Sequence, residues 1–287
     1  MKKAQKIILL LAVIVPFFTI VSCGSLLPSL IFNPEVVGSF QNAMEEITPE
    51  QEYYIGRAVA ANLLSTYKLW NGSPALLSYL NRICGAITVN SPRPDVYNGY
   101  HVAILDTDEI NAFATPGGHI FVSRGLINVA KSEEALAGVI AHEVSHIQLK
   151  HSINAIKSSR FTNALRVTGS AAAAQLAQGT VFSELVDTFS ESVGDVVSTM
   201  VNSGYSQTQE FEADNMAMKL MAAAGYNPSG LIAMLQELEK IQSSHPGGFN
   251  KTHPTPAARI RNAQRTLNTY RVTDTSSFRQ ARFSALR

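Results

Sequence analysis

Residues 142–146 read His-Glu-Val-Ser-His and lie inside the apolar stretch from Ala135 to Leu149. Leu136, Val139, Ile140, Val144 and Ile147 recur at helical spacing, Ser132 is suited to cap the start, and Glu133 and Glu134 fall in the first turn, where carboxylates complement the helix dipole. The expectation is a helix buried on most of its sides. Two histidines four apart share one face of such a helix, so both imidazoles can reach a single ion while Glu143 stays free. Burying two imidazoles and a carboxylate is costly unless they are hydrogen-bonded or ligated. Any fold containing this segment must therefore bring further donors to it. The pattern is that of a zinc hydrolase, with His142 and His146 as ligands of one Zn2+ per chain and Glu143 as general base.

A catalytic zinc site takes three protein ligands and keeps one position open. The segment Gln209-Glu210-Phe211-Glu212-Ala213-Asp214-Asn215 opens another helical stretch, continuing through Met218 and Met221. Glu210 and Asp214 are four apart on one face, so one can ligate while the other orients a ligand histidine through its free ring N–H; Glu212 points roughly the other way. Two histidines from one helix and a carboxylate from the next is the gluzincin pattern.

Residues 1–22 form a signal sequence. Lys2, Lys3 and Lys6 precede an apolar run from Ile7 to Ile20, interrupted by Pro16, and then comes Val21-Ser22-Cys23. A small residue before Cys, after two aliphatic positions, resembles the bacterial lipobox, which makes Cys23 the acylated first residue of the mature chain. The alternatives are a plain signal peptide or an anchor helix, and the run is short for a span. With no Asp after Cys23, a lipid anchor on the periplasmic side of the outer membrane is expected in preference to the inner. Cleavage takes 23 bases against 22 acids to 20 against 22, a net charge of −2. Neither balance suits nucleic acid. Cys84 is then left without an intramolecular partner and reads as a small buried hydrophobe, an intermolecular disulfide being the other option.

Residues 23–47 read as a tether, and 48–270 as one metallopeptidase domain. Thr48-Pro49-Glu50 starts a helix running to about Leu69, and a second spans Pro74 to Thr88. His101–Leu105 and His119–Ser123 read as strands, with Asn111–Ala114 between them and Pro116-Gly117-Gly118 as a turn. Leu185, Phe189, Val193, Val196 and Met200 form an apolar stripe that suits core packing, or a lid over the cleft. Residues 271–287, with Arg271, Arg279, Arg282 and Arg287, read as a polar solvated end rather than a docking arm.

His-Glu-Val-Ser-His, the downstream Glu-Phe-Glu-Ala-Asp, the segment Asn111–Leu126 and the late Thr252-His253-Pro254-Thr255-Pro256 together resemble the HtpX-like family of zinc peptidases, which includes the CAAX prenyl endopeptidases. The resemblance covers roughly Thr48 to Leu267. It implies an α+β fold, mostly helical, with a small β-sheet beside the HExxH helix, and it implies His142, His146 and Glu210 as ligands with Glu143 as base. It further implies that His253 sits at the active site, as a donor to the developing oxyanion or as a fourth ligand masking the metal, with Arg259 near it and Asp214 behind the ligands. The strand Gly118-His119-Ile120-Phe121 corresponds to the rim on which extended substrate adds. Membrane-spanning members differ from this chain, whose longest uncharged run after the signal, Val167 to Ser183, is too polar to insert. That points to the soluble periplasmic lipoprotein branch. His151, five residues beyond His146 and about 140° around a straight helix, cannot share the metal and reads as a helix cap.

Two functions follow as expectations. The first is an endopeptidase acting on unfolded or misassembled cell-envelope proteins. The second is a chaperone-like assembly factor whose zinc site is latent.

Overall fold

The N-terminal cap of the first helix shows how closely the local chemistry is followed. Thr48 Oγ1 accepts from Gln51 N–H at 3.2 Å and Gln51 Oε1 accepts from Thr48 N–H at 2.8 Å, a reciprocal box with Pro49 in the first position. This helix, α1, spans Pro49–Thr66. The structure is a computed structural model that describes residues 47–156, 191, 193–241, 247–253, 255–271 and 276–286. The signal sequence, Cys23, the tether up to residue 46, and Leu185 and Phe189 of the apolar stripe lie outside the described residues.

The helix α1 ends three residues before the expected Leu69, because Leu69 bridges Leu105 as a short extended segment. Ser73 caps α2, Pro74–Thr88, whose bounds are those expected. Strands β1 (His101–Leu105), β2 (Ala112–Ala114) and β3 (His119–Ser123) form a sheet in the order β1-β3-β2. The β1–β3 pair is parallel and the β2–β3 pair antiparallel. Gly117 and Gly118, at φ 77° and 112°, make the turn into β3, and a Cβ on Gly118 would meet Gly99 O at 2.2 Å.

This order corrects one expectation. His119, Ile120 and Phe121 belong to the central strand, paired on both sides, so β3 has no free edge on which a further strand can add. Among the described residues, β2 has its one strand neighbour in β3 and leaves its other side unpaired.

After a short helix α3, Arg124–Val129, comes α4, Glu133–Gln148, which carries the histidine motif and is buried along its whole length. Ser132 caps it as expected. A helix with no solvent face needs partners all round. They are α2 and β2, together with α5 (Gln207–Ala223), α6 (Ser229–Ile241) and α8 (Ser276–Ala285). Between α6 and α8, a one-turn helix Phe249–Thr252 leads into α7, Pro256–Leu267. The approach of α4 to α6 is close enough that a Cβ on Gly138 would lie 2.8 Å from Leu231 Cα, and one on Gly230 2.5 Å from the Glu134 backbone.

The helix α8 corrects a second expectation. Residues 276–286 are no solvated end: Phe283 is buried, Arg279 Nε donates to Glu134 Oε1 at 2.5 Å, and Arg282 pairs with Glu133. Glu133 also accepts from the hydroxyls of Tyr79 and Tyr226, at 2.8 and 2.9 Å. The cause is the burial of both carboxylates in the first turn of α4, which demands counter-charges from elsewhere in the chain. In the stripe, Val196 and Met200 pack in a core cluster with Ile55, Val59 and Phe113, which supports the packing alternative for that part.

Candidate metal centre

The helix α4 presents His142 and His146 one turn apart, with their Nε2 atoms 3.0 Å from each other. The start of α5 is fixed by a second capping box, Ser206 with Gln209, which places Glu210 in the first turn of the helix and Asp214 one turn further. Glu210 Oε1 lies 3.4 Å from His146 Nε2, and Glu210 Oε2 3.6 Å from His142 Nε2. His253, just after the one-turn helix, completes the cluster: its Nδ1 is 3.2 Å from His142 Nε2 and 3.0 Å from Glu210 Oε1, and its Nε2 is 3.6 Å from Glu143 Oε1. One donor atom from each of His142, His146, Glu210 and His253 falls within 4.8 Å of the others, and all four side chains are buried. The residues that the sequence assigns to the centre are thus brought together, while His119 lies elsewhere, stacked on Tyr53.

Arg259, on α7, is fully buried and binds two carboxylates at once. Its Nε and Nη2 donate to Asp214 at 2.8 and 2.6 Å, and its Nη1 is 2.8 Å from Glu210 Oε2. Asp214 Oδ1 lies 3.0 Å from His142 Nδ1, and Arg259 Nη2 is 3.2 Å from the same nitrogen; with a metal on His142 Nε2 the ring proton is on Nδ1 and Asp214 is placed to accept it. Burial opposes the charged form of both carboxylates, yet Arg259 outweighs it, holding Glu210 well below the usual carboxylate range and Asp214 at about 2. Burial pushes Glu143 the other way, upward, and pushes His146 well down. Burial also works against a charged His253, but Glu210 and Glu143 outweigh it and raise its pKa.

These groups fit a divalent cation. Glu143, Glu210 and Asp214 are three buried carboxylates gathered around one buried guanidinium, so acidic groups outnumber the fixed cation there. Glu143 Oε1 is buried and accepts no hydrogen bond among the described residues. Imidazole nitrogens with one carboxylate oxygen are a zinc donor set.

Three features of the surroundings are not legible in the sequence. Tyr205 stacks on the His146 ring at 3.9 Å between centroids, with its hydroxyl 2.7 Å from Ser152 Oγ. Phe249 stacks on His253 at 4.3 Å, and Phe249 N–H donates to Ile110 O at 2.8 Å, tying the His253 turn to the entry of β2. Neither aromatic stands at a spacing that would mark it in the sequence. His151 is not a helix cap: it is buried, with Nδ1 2.8 Å from His146 Nδ1 and Nε2 3.3 Å from Glu212 Oε2. Its spacing is visible along the chain, but the bend that turns it back toward His146 is not.

The family described as Peptidase family M48 matches residues 76–267. The chain is 27% identical over 226 residues to the "Beta-barrel assembly-enhancing protease" of Escherichia coli (strain K12), a match covering 77% of this chain and 45% of that protein. It is 30% identical over 190 residues to the "Metalloprotease LoiP" of the same organism, covering 65% of this chain and 70% of the relative. To the "Mitochondrial metalloendopeptidase OMA1" of Schizosaccharomyces pombe it is 29% identical over 195 residues, 66% of this chain and 52% of that protein. The chain spans less than half the length of the first of these relatives.

Proposed function

This chain belongs to peptidase family M48, and from that premise we propose that it is a zinc-dependent endopeptidase hydrolysing peptide bonds in unfolded or misassembled cell-envelope proteins. The observation that carries this reading is the set of four buried donors with the Glu143 carboxylate beside them, one of whose oxygens accepts no hydrogen bond among the described residues. A site serving structure alone has no use for that carboxylate. His142, His146 and Glu210 would hold the ion. Bound zinc supplies Lewis acidity, acidifying a water and polarising the scissile carbonyl. Glu143 takes the proton of the attacking water and returns it to the leaving amine, and the upward push of burial on its pKa suits both halves of that task. Arg259 and Asp214 fix Glu210 and His142 so that neither has to be reoriented during turnover.

Substrate binds as an added strand on β2, whose outer side faces no other strand among the described residues. Residues from Thr48 through α8 act as the peptidase unit, since α8 packs on the start of α4, with residues 23–47 tethering it to lipid on Cys23 at the periplasmic side of the outer membrane. The name of the assembly-enhancing relative supports an envelope substrate, and no helix of the described residues is long and apolar enough to cross a membrane.

A second reading is favoured by one distance. His253 Nδ1 stands 3.0 Å from Glu210 Oε1, within the donor cluster itself, so in this arrangement it masks the fourth position and the protein is latent until the His253 turn moves.

Cleavage of casein by the purified protein tests both. Glu143→Gln should retain zinc and lower kcat by about 10³-fold. Equal activity in parent and variant would refute the role of Glu143, and absence of cleavage by the parent would favour latency. Under latency His253→Ala should raise the rate; where the parent does cleave, a fall in that variant would make His253 a catalytic donor instead.

A further inference from the structure

Among the described residues four histidines are buried, and three of them belong to the donor cluster. The fourth, His151, is brought to the cluster by a break in the backbone. A continuous helix would point it about 140° away from His146. Instead α4 ends at Gln148, Lys150 adopts φ 56°, and helix resumes over 151–156. A lysine in the left-handed region is strained and persists only where its surroundings hold it there. The strain delivers one contact: His151 Nδ1 within 2.8 Å of the outer ring nitrogen of His146.

The direction of each hydrogen bond follows from the first. If His146 gives its Nε2 lone pair to the metal, its proton is on Nδ1, and that N–H donates to His151 Nδ1. His151 Nδ1 is then the bare nitrogen, so the proton of His151 sits on Nε2, directed at Glu212 Oε2 3.3 Å away. Tyr205 stacks on one face of His146 and bonds Ser152, the neighbour of His151, which holds the two rings in register. We propose that His151 and Glu212 are positioning residues, an imidazole and a carboxylate in series that lock His146 into its metal-binding tautomer and increase its basicity. His142 has the direct form of the same support, a buried carboxylate at 3.0 Å. For His146 the carboxylate is displaced outward by one imidazole and emerges at the surface, where the Glu212 side chain is 56% exposed. This rests on the reading of His146 as a zinc ligand.

The test is zinc affinity of the full chain, measured by competition with a chromophoric chelator, alongside the visible spectrum of the Co2+-substituted protein. His151→Ala should bind zinc about 10- to 100-fold more weakly and shift the cobalt bands. His151→Asn, whose Oδ1 keeps an acceptor in place of Nδ1, should recover most of the affinity. Glu212→Ala changes a largely exposed side chain and should weaken binding severalfold. Unaltered affinity in both His151→Ala and Glu212→Ala would overturn the proposal, and so would an Asn variant as weak as Ala. If His151→Ala does not fold, the other two variants decide. Casein cleavage is not read, so a parent protein that binds zinc but cleaves nothing counts against the proposed activity and not against this support.

Discussion

Arg259 is the residue on which most of the centre depends, because it is the sole buried cation shared by two buried carboxylates among the described residues. Arg259→Leu should therefore cost about 3–5 kcal/mol in urea unfolding, the usual consequence of stranding a buried charge, and should lower zinc affinity through Glu210. Its partner gives a pH signature. Asp214 is held at about 2 in the fold, below its ordinary value near about 4. A depressed acid contributes stability that is complete above the unfolded value and disappears as pH falls through the folded one. Metal-free protein should accordingly lose about 2 kcal/mol between about pH 4 and pH 2, and Asp214→Asn should lose less over that window. Cys84 lies in the core with its thiol pushed up to about 12 by burial, so iodoacetamide at neutral pH should label it only after unfolding. The small-hydrophobe reading of Cys84 is available from its neighbours. The roles open to His142, Glu143 and His146 are available from spacing alone. The partners of Arg259 and Tyr205 are not, since a buried guanidinium and a stacked phenol have no local pattern.

Elements are legible in proportion to their length. The bounds of α2 and the cap of α4 agree with expectation because propensity, capping and apolar period coincide there. In the sequence β2 reads only as the link between two strands, three residues being too few to show an alternation. Strand order is hidden altogether, which is why the substrate rim reads onto β3: alternation reveals which side of a strand is buried, never which strand stands at an edge. Packing of α4 on α6 is equally silent. It relies on Gly138 and Gly230, where even one methyl group has backbone in its way. Gly230→Ala should lower stability by about 2 kcal/mol by overpacking, with the urea midpoint as the measure, and Gly85→Ala, in open space on α2, should not.

At the scale of the molecule, the helix α8 closes on the start of α4 and turns two costly buried carboxylates into paired ones. Arg279→Ala should cost about 3 kcal/mol, and a chain ending at Arg271 should lose more and hold zinc poorly, as chelator competition would show. Composition gives no hint of this, because the basic residues of this segment look solvated until their partners are known. Glu134 and Arg279 are 145 positions apart along the chain. A ribosome that has finished the histidine motif has therefore still to synthesise the residue that secures it. A chain stopped between His253 and Arg279 carries the whole donor set without its clasp, so the centre should hold zinc firmly only once α8 has been made and has docked on α4.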